Sequence, residues 1–307
     1  MLPGRRMHNL HSLLSALPPF PGQLPLADML GRMRSTLGGA QASFRLSPET
    51  QFEVDLHDRV QRQMWAGCYE PHVRKCLESL LADGDIFLDV GAHIGYVTAL
   101  SAQRVGSQGR VFSFEPDPFL HERLVRNVAR QPWVQTFHCA IWKETGVLTF
   151  ERASSKGESG WGTLTSVRDL KKGAHIDVCA TSLDDWAVRY LVDRIQAIKI
   201  DAEGSEVSIL EGANQTIART RPIIIMELND TLLRQAGASA SVLVNHPALA
   251  NYTIYGLTWM QLKPLTVRKM VRAPPLLLPS STPIRRELSS VIASSASSTA
   301  ITADATA

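Results

Sequence analysis

A chain of 307 residues, 44% hydrophobic and 20% charged, is long enough for one large domain with a substantial core. Its formal net charge is +3, and its Lys and Arg residues are scattered rather than gathered in a stripe, which argues against nucleic acid and anionic membrane as partners. Cys68, Cys76, Cys139 and Cys179 form no C-x-x-C pair, which argues against zinc and a disulfide framework and for reduced thiols in a cytoplasmic protein.

Residues 1–42 read as an appendage, interrupted by Pro18, Pro19, Pro21 and Pro25, with one short amphipathic helix in LADMLGRMRSTL. The opening MLPGRRMHNLHSLLSALPPFPG has two arginines, but its apolar stretch is too short and broken for a targeting signal. No run reaches the ~18 apolar residues of a membrane span. Residues 43–58 alternate as a hairpin does. In YEPHVRKCLESLLADGD, Val73, Leu77, Leu80 and Leu81 share a helical stripe that Gly84 ends.

A regular alternation follows. IFLDV, RVFSFE, VQTFHCAI, RIQAIKID and PIIIMELN read as strands, with helices from about Ile94, Pro118 and Ser205 between them. VLTFE adds a further strand, and NYTIYGLTWMQLKPLTV one or two edge strands. Continuous apolar strands separated by helices imply an α/β fold: a doubly wound, mainly parallel sheet covered on both faces. The domain is expected over residues 43–272. Residues 273–307, dominated by small residues, read as a disordered low-complexity tail. The loop from Ser154 to Gly173 carries Trp161, which suits either a lid over an acceptor or packing on the core.

Ligands of open parallel sheets bind beyond the carboxyl ends of the strands. There, DVGAHIG supplies Asp89, Gly91 and Gly95 in the pattern D-x-G-x-x-x-G. A glycine at position 91 allows close approach to the chain, and the helix that follows offers unpaired N–H groups to a carboxylate. The dinucleotide fingerprint is G-x-G-x-x-G, and His93 replaces its second glycine, crowding a pyrophosphate. Asp89 disfavours phosphate and welcomes an ammonium. Glu115, at the end of the next strand, is placed to accept from both hydroxyls of a ribose. An amino acid joined to a nucleoside describes S-adenosylmethionine.

WAGCYEPHV, DVGAHIGYVT, FSFEPDP, TSLDDW, IKIDAEGSE and PIIIMELN, in this order, resemble the FkbM family of S-adenosylmethionine-dependent methyltransferases over about Phe52 to Leu257. The resemblance implies a class I, Rossmann-like sheet of seven strands and methyl transfer to a hydroxyl of a small molecule or glycan. It implies that Asp89, Gly91, His93 and Gly95 hold the methionine part and Glu115 the ribose, with Pro116 and Asp117 shaping the turn. It also implies that Ala140 and Ile141 lie against adenine, and that Tyr69 and Glu70 close over the cofactor. The sequence departs from the family at His93, where asparagine is common, at Ser205, and at Asn251.

Methyl transfer needs alignment of oxygen, methyl and sulfur, and a group to take one proton. Asp201 and Glu227, each at a strand end, are the candidate bases, ahead of Lys199 and His93. Glu203 and Glu206 read as loop organisers. Asp201, Glu227 and Asn229 could also offer hard oxygen ligands to magnesium. The rival from another class is a catalytically inactive S-adenosylmethionine-binding or interaction protein, which would bind the cofactor and transfer nothing.

Overall fold

The computed structural model describes residues 20, 22–47, 50–152, 162–164, 175–257, 262–264 and 275–279. Helix Gln23–Gly38 leads into a hairpin of β1 (Gln41–Arg45) and β2 (Gln51–Asp55), then helices Arg59–Trp65 and Pro71–Leu80. β3 (Ile86–Val90), β4 (Arg110–Phe114) and β5 (Val134–Phe137) alternate with helices Tyr96–Val105 and Pro118–Val128. β6 (Ala140–Ile141), β7 (Gly146–Glu151), β8 (Thr163–Leu164) and β9 (His175–Thr181) follow, then helix Leu183–Arg189. β10 (Ala197–Ile200) and β11 (Ile223–Met226) flank two short helices, Glu206–Glu211 and Asn214–Thr220. After helices Asp230–Gln235 and Ala240–Val244 come β12 (Tyr252–Leu257), β13 (Leu262–Pro264) and β14 (Pro275–Pro279).

Among the described residues, the central sheet has eight strands in the order β13-β12-β14-β11-β10-β3-β4-β5, one more than expected. β11, β10, β3, β4 and β5 are parallel, and β14 is antiparallel to both its neighbours. Side chains alternate across it. Leu88, Phe112, Ile198 and Ile224 face the helices of residues 183–220, with Trp186, Leu210 and Ile217. Phe87, Val111, Ala197 and Ile225 face Val73, Leu77 and Leu80 of helix Pro71–Leu80. Glycine, proline and acidic caps set the helix ends: Asp117 accepts from the Phe119 amide at 2.8 Å just before Pro118.

Four expectations need correction. β14 lies inside the region expected to be a tail, because an apolar PLLLP segment supplies the backbone pairing that β11 and β12 would otherwise lack. The boundary expected at residue 42 falls within β1, and helix Gln23–Gly38 is fastened to the body by the buried Arg62 guanidinium, 2.6 Å from Asp28. VQTFHCAI is split, because the chain turns at His138–Cys139 from the central sheet into a second sheet, β6-β9-β7-β8, which also takes VLTFE. The helix expected from Ser205 breaks into two at Gly212, where a Cβ would strike the Trp142 carbonyl. Trp161 lies outside the described residues, while Trp65, Trp142 and Trp186 are buried in the core. Among the described residues, no helix is long and apolar enough to cross a membrane.

Candidate active site

A cavity of about 230 Å³ opens at the carboxyl ends of β3, β4 and β10. Its wall gathers Tyr69, Gly91, His93, Glu115, Pro116, Ala140 and Ile141 with Asp201, Glu203 and Ser205, all singled out from the sequence. Glu70, Asp89, Gly95 and Glu227 are not on that wall. Leu120, Phe150 and Leu164 supply apolar surface, the last two from the second sheet.

The glycine loop owes its composition to packing within the protein. Gly91 has φ +79°, and a Cβ there would collide with the Asp201 carbonyl, so the missing side chain makes room for β10's end rather than for a ligand. Gly95, at φ +89°, caps helix Tyr96–Val105 and packs on Leu124 of the next helix. His93 also has positive φ, 53°, a conformation asparagine adopts more readily than histidine. Its backbone N–H donates to Glu115 at 2.8 Å, and burial lowers the imidazole to about 4, leaving it neutral.

Glu115 is held on both sides, by the His93 amide and by the Asp117 amide at 2.9 Å. Burial still pushes it up to about 8, although both backbone bonds oppose the shift. A desolvated carboxyl fixed at a cavity wall is suited to donors that arrive with a ligand. Asp89 was expected to meet an ammonium, but its side chain is fully buried beneath the loop, taking the Thr98 hydroxyl at 2.6 Å. Its other oxygen has no hydrogen-bond partner among the described residues.

Asp201, Glu203 and Glu227 place carboxylate oxygens within 4.8 Å of one another. Glu203 joins this group because it turns at φ 50°, ahead of Gly204 at 102°. Glu206, by contrast, organises the turn as expected, accepting from the Ala202 and Gly204 amides. Burial, then the charges of Asp201, Glu203 and Glu206, push Glu227 up to about 9, so it keeps its proton at neutral pH. Lys199, itself buried, reaches Asp201 at 2.8 Å. A proton and an ammonium therefore already offset charge in the acidic group. Asn229, expected among oxygen ligands, instead caps helix Asp230–Gln235, accepting from Leu232.

Tyr69 and Glu70 come from the amino-terminal layer. Tyr69 packs edge-on against Tyr96, 5.7 Å between ring centres. Burial, reinforced by Glu70, Asp201, Asp89 and Glu203, holds its hydroxyl well above the usual range, making it a neutral donor. Burial raises Glu70 to about 7, against the pull of Lys199.

A family model described as the methyltransferase FkbM domain matches residues 89–249. The 2-O-methyltransferase NoeI of Sinorhizobium fredii is 27% identical over 193 residues, 58% of this chain and 78% of that protein. The hexuronic acid methyltransferase AglP of Haloferax volcanii is 25% identical over 154 residues, 50% of this chain and 59% of its own. Among solved structures, methyltransferase FkbM from Methylobacillus flagellatus aligns with TM-score 0.40 and 18% identity, over 71% of this chain and 54% of that one. An O-methyltransferase from Bacillus cereus aligns with TM-score 0.41 and 13% identity, over 87% and 94%.

Proposed function

From a chain that belongs to the FkbM family of methyltransferases, with S-adenosylmethionine as cofactor, we propose an enzyme that methylates a hydroxyl oxygen of a sugar or glycan. One relative's name specifies an oxygen at position 2 and the other's a sugar acid, and both support this acceptor class. The observation that carries the reading is Asp201 standing on the same cavity wall as Glu115.

The residues present fit the cofactor. Glu115 would accept from the two ribose hydroxyls, which would add donors to the two amides that already hold its desolvated carboxyl. Pro116 shapes the adjoining turn. The backbone at Ala140 and Ile141 would flank the adenine, and the loop at Gly91 and His93, beneath Tyr69, the methionine part. When bound, the cofactor supplies an electrophilic methyl on a positively charged sulfur.

The protein's own task is alignment and the handling of one proton. An aliphatic hydroxyl is a very weak acid, so its proton leaves late, toward a group within ~3 Å or one water away. Two carboxylates this close resist ionising together. Glu227 holds its proton at neutral pH, and of the two acids on the cavity wall, Asp201 and Glu203, the one held by Lys199 at 2.8 Å, Asp201, is the acceptor in this reading. Glu227 and Glu203 would orient the acceptor's other hydroxyls. Tyr69, Leu120, Phe150 and Leu164 exclude water from the transfer.

The test offers methyl-labelled S-adenosylmethionine with a panel of neutral methyl hexosides and methyl glucuronides, and maps any product by mass spectrometry. Label on a sugar oxygen is the expected result. Binding of S-adenosylhomocysteine without transfer to any panel member would favour the non-catalytic binding protein instead. Because proton and ammonium already offset charge in the acidic group, turnover is expected to survive EDTA, and magnesium-restored activity would overturn that point.

A further inference from the structure

Three adjacent central strands carry a polar residue at one level. Ser113 of β4 is in register with Asp89 of β3, and Asp89 with Lys199 of β10. Their relative exposures are 0%, 0% and 4%, on a face otherwise built from Phe87, Val111, Ala197 and Ile225. Ions buried in such a face are costly unless paired and hydrogen-bonded. The row has a connection at each end. The Thr98 hydroxyl bridges Asp89 at 2.6 Å and Ser113 at 3.0 Å beneath the glycine loop. At the other end, Lys199 Nζ lies 2.8 Å from Asp201 Oδ2, at the cavity wall.

We propose that Lys199 is a positioning residue for methyl transfer, whose buried side chain, 2.8 Å from Asp201, fixes that carboxyl at the acceptor rim and ties it to the sheet beneath the cofactor loop. This rests on the reading of Asp201 as proton acceptor. Burial pulls Lys199 down, but Asp201, Glu70 and Asp89 together outweigh it and hold the ammonium protonated, so Lys199 is not itself the base. Among the described residues, the acids facing it are Asp89 on β3, Glu70 at the start of helix Pro71–Leu80, and Asp201, with Glu203 and Glu227 grouped around Asp201. The Tyr69 hydroxyl and the His93 ring nearby are neutral. A purely structural ion pair can often be replaced by apolar residues at little cost, and its loss would not fall on kcat alone.

The test compares wild type, Lys199→Met, Lys199→Arg and Asp201→Asn, using a panel sugar that accepts label. Lys199→Met is expected to bind S-adenosylhomocysteine like wild type and to lose about a hundredfold in kcat at pH 7. The sugar's KM should be little changed, so that the loss falls on kcat. Lys199→Arg should restore most of kcat. If Lys199→Met does not fold, Asp89→Asn/Lys199→Met, which removes both ionisable groups of the row, is compared with Asp89→Asn by the same readouts. A Lys199→Met kcat like that of wild type, or a loss that falls on KM alone, with Asp201→Asn inactive overturns the role of Lys199 alone. An active Asp201→Asn overturns the base reading beneath it, and a wild type that labels no panel sugar overturns both.

Discussion

In the function proposed, Glu115 serves the cofactor and the Asp201–Glu227 pair the acceptor, and single substitutions should separate the two. Glu115 is anchored by two backbone amides and turned to the cavity, so Glu115→Ala removes a ligand group while the amides of His93 and Asp117 lose their acceptor. Loss of hydrogen bonds to a charged group costs about 1.5–3 kcal/mol, or roughly ten- to a hundredfold in affinity. Titration with S-adenosylhomocysteine should show that loss, and equal affinity would remove Glu115 from the cofactor site. Asp201→Asn should leave this affinity intact and lower kcat by about two to three orders of magnitude. Glu227→Gln should cost far less at pH 7, because a protonated carboxyl and an amide are both neutral. Equal losses in the two variants would show that the pair acts as one unit. The sequence marked both acids as strand-end groups. It could not rank them, because the ranking comes from Lys199 and Glu203, which the fold brings beside them.

At the scale of elements, what could be read depended on whether a signal was local. The glycine loop, Glu115 and the parallel strands were legible because each is a contiguous pattern at one strand end. β9 was missed because it belongs to the second sheet, where only Val178 and Ala180 of its seven residues are buried. Glu203 was taken for a loop organiser because nothing in IDAEGSE states that residue 203 will turn at positive φ; the following glycine is the available hint. β14 was hidden by its small-residue surroundings, although it lies between β11 and β12, with Leu277 in register with Ile224 on one side and Ile254 on the other. A proline there removes an amide from an interior ladder. Leu277→Pro should therefore lower stability by about 3 kcal/mol, the scale of a proline that breaks regular backbone pairing. Denaturant unfolding would measure this, and an unchanged midpoint would mean that residues 275–279 do not hold the sheet together.

At the scale of the molecule, the buried acids make stability a function of pH. Burial raises Glu115 to about 8, Glu206 to about 7 and Glu227 to about 9, each from an ordinary value of 4.5. Asp89 shifts in the same direction. The native protein therefore keeps protons that the unfolded chain releases above about pH 4.5, and stability must fall as pH rises through that window. His93, lowered to about 4, works in the opposite sense, but only below its ordinary 6.5. The uncompensated fall thus runs from about pH 6.5 to 9, with a slope of up to about 1.4 kcal/mol per pH unit for each proton retained. Thermal melts of the cofactor-free protein should show Tm declining over this range. Ribose hydroxyls donating to Glu115 would favour its charged form, so S-adenosylhomocysteine should displace a proton on binding. Its stabilisation of the fold should then be larger at pH 8.5 than at pH 6.5, and Glu115→Gln should abolish that difference. A Tm that stays level without ligand would mean that these carboxyls are ionised inside the fold. The acidic rim would then be far more charged than its burial implies, and Glu227 would have equal standing with Asp201 as a proton acceptor.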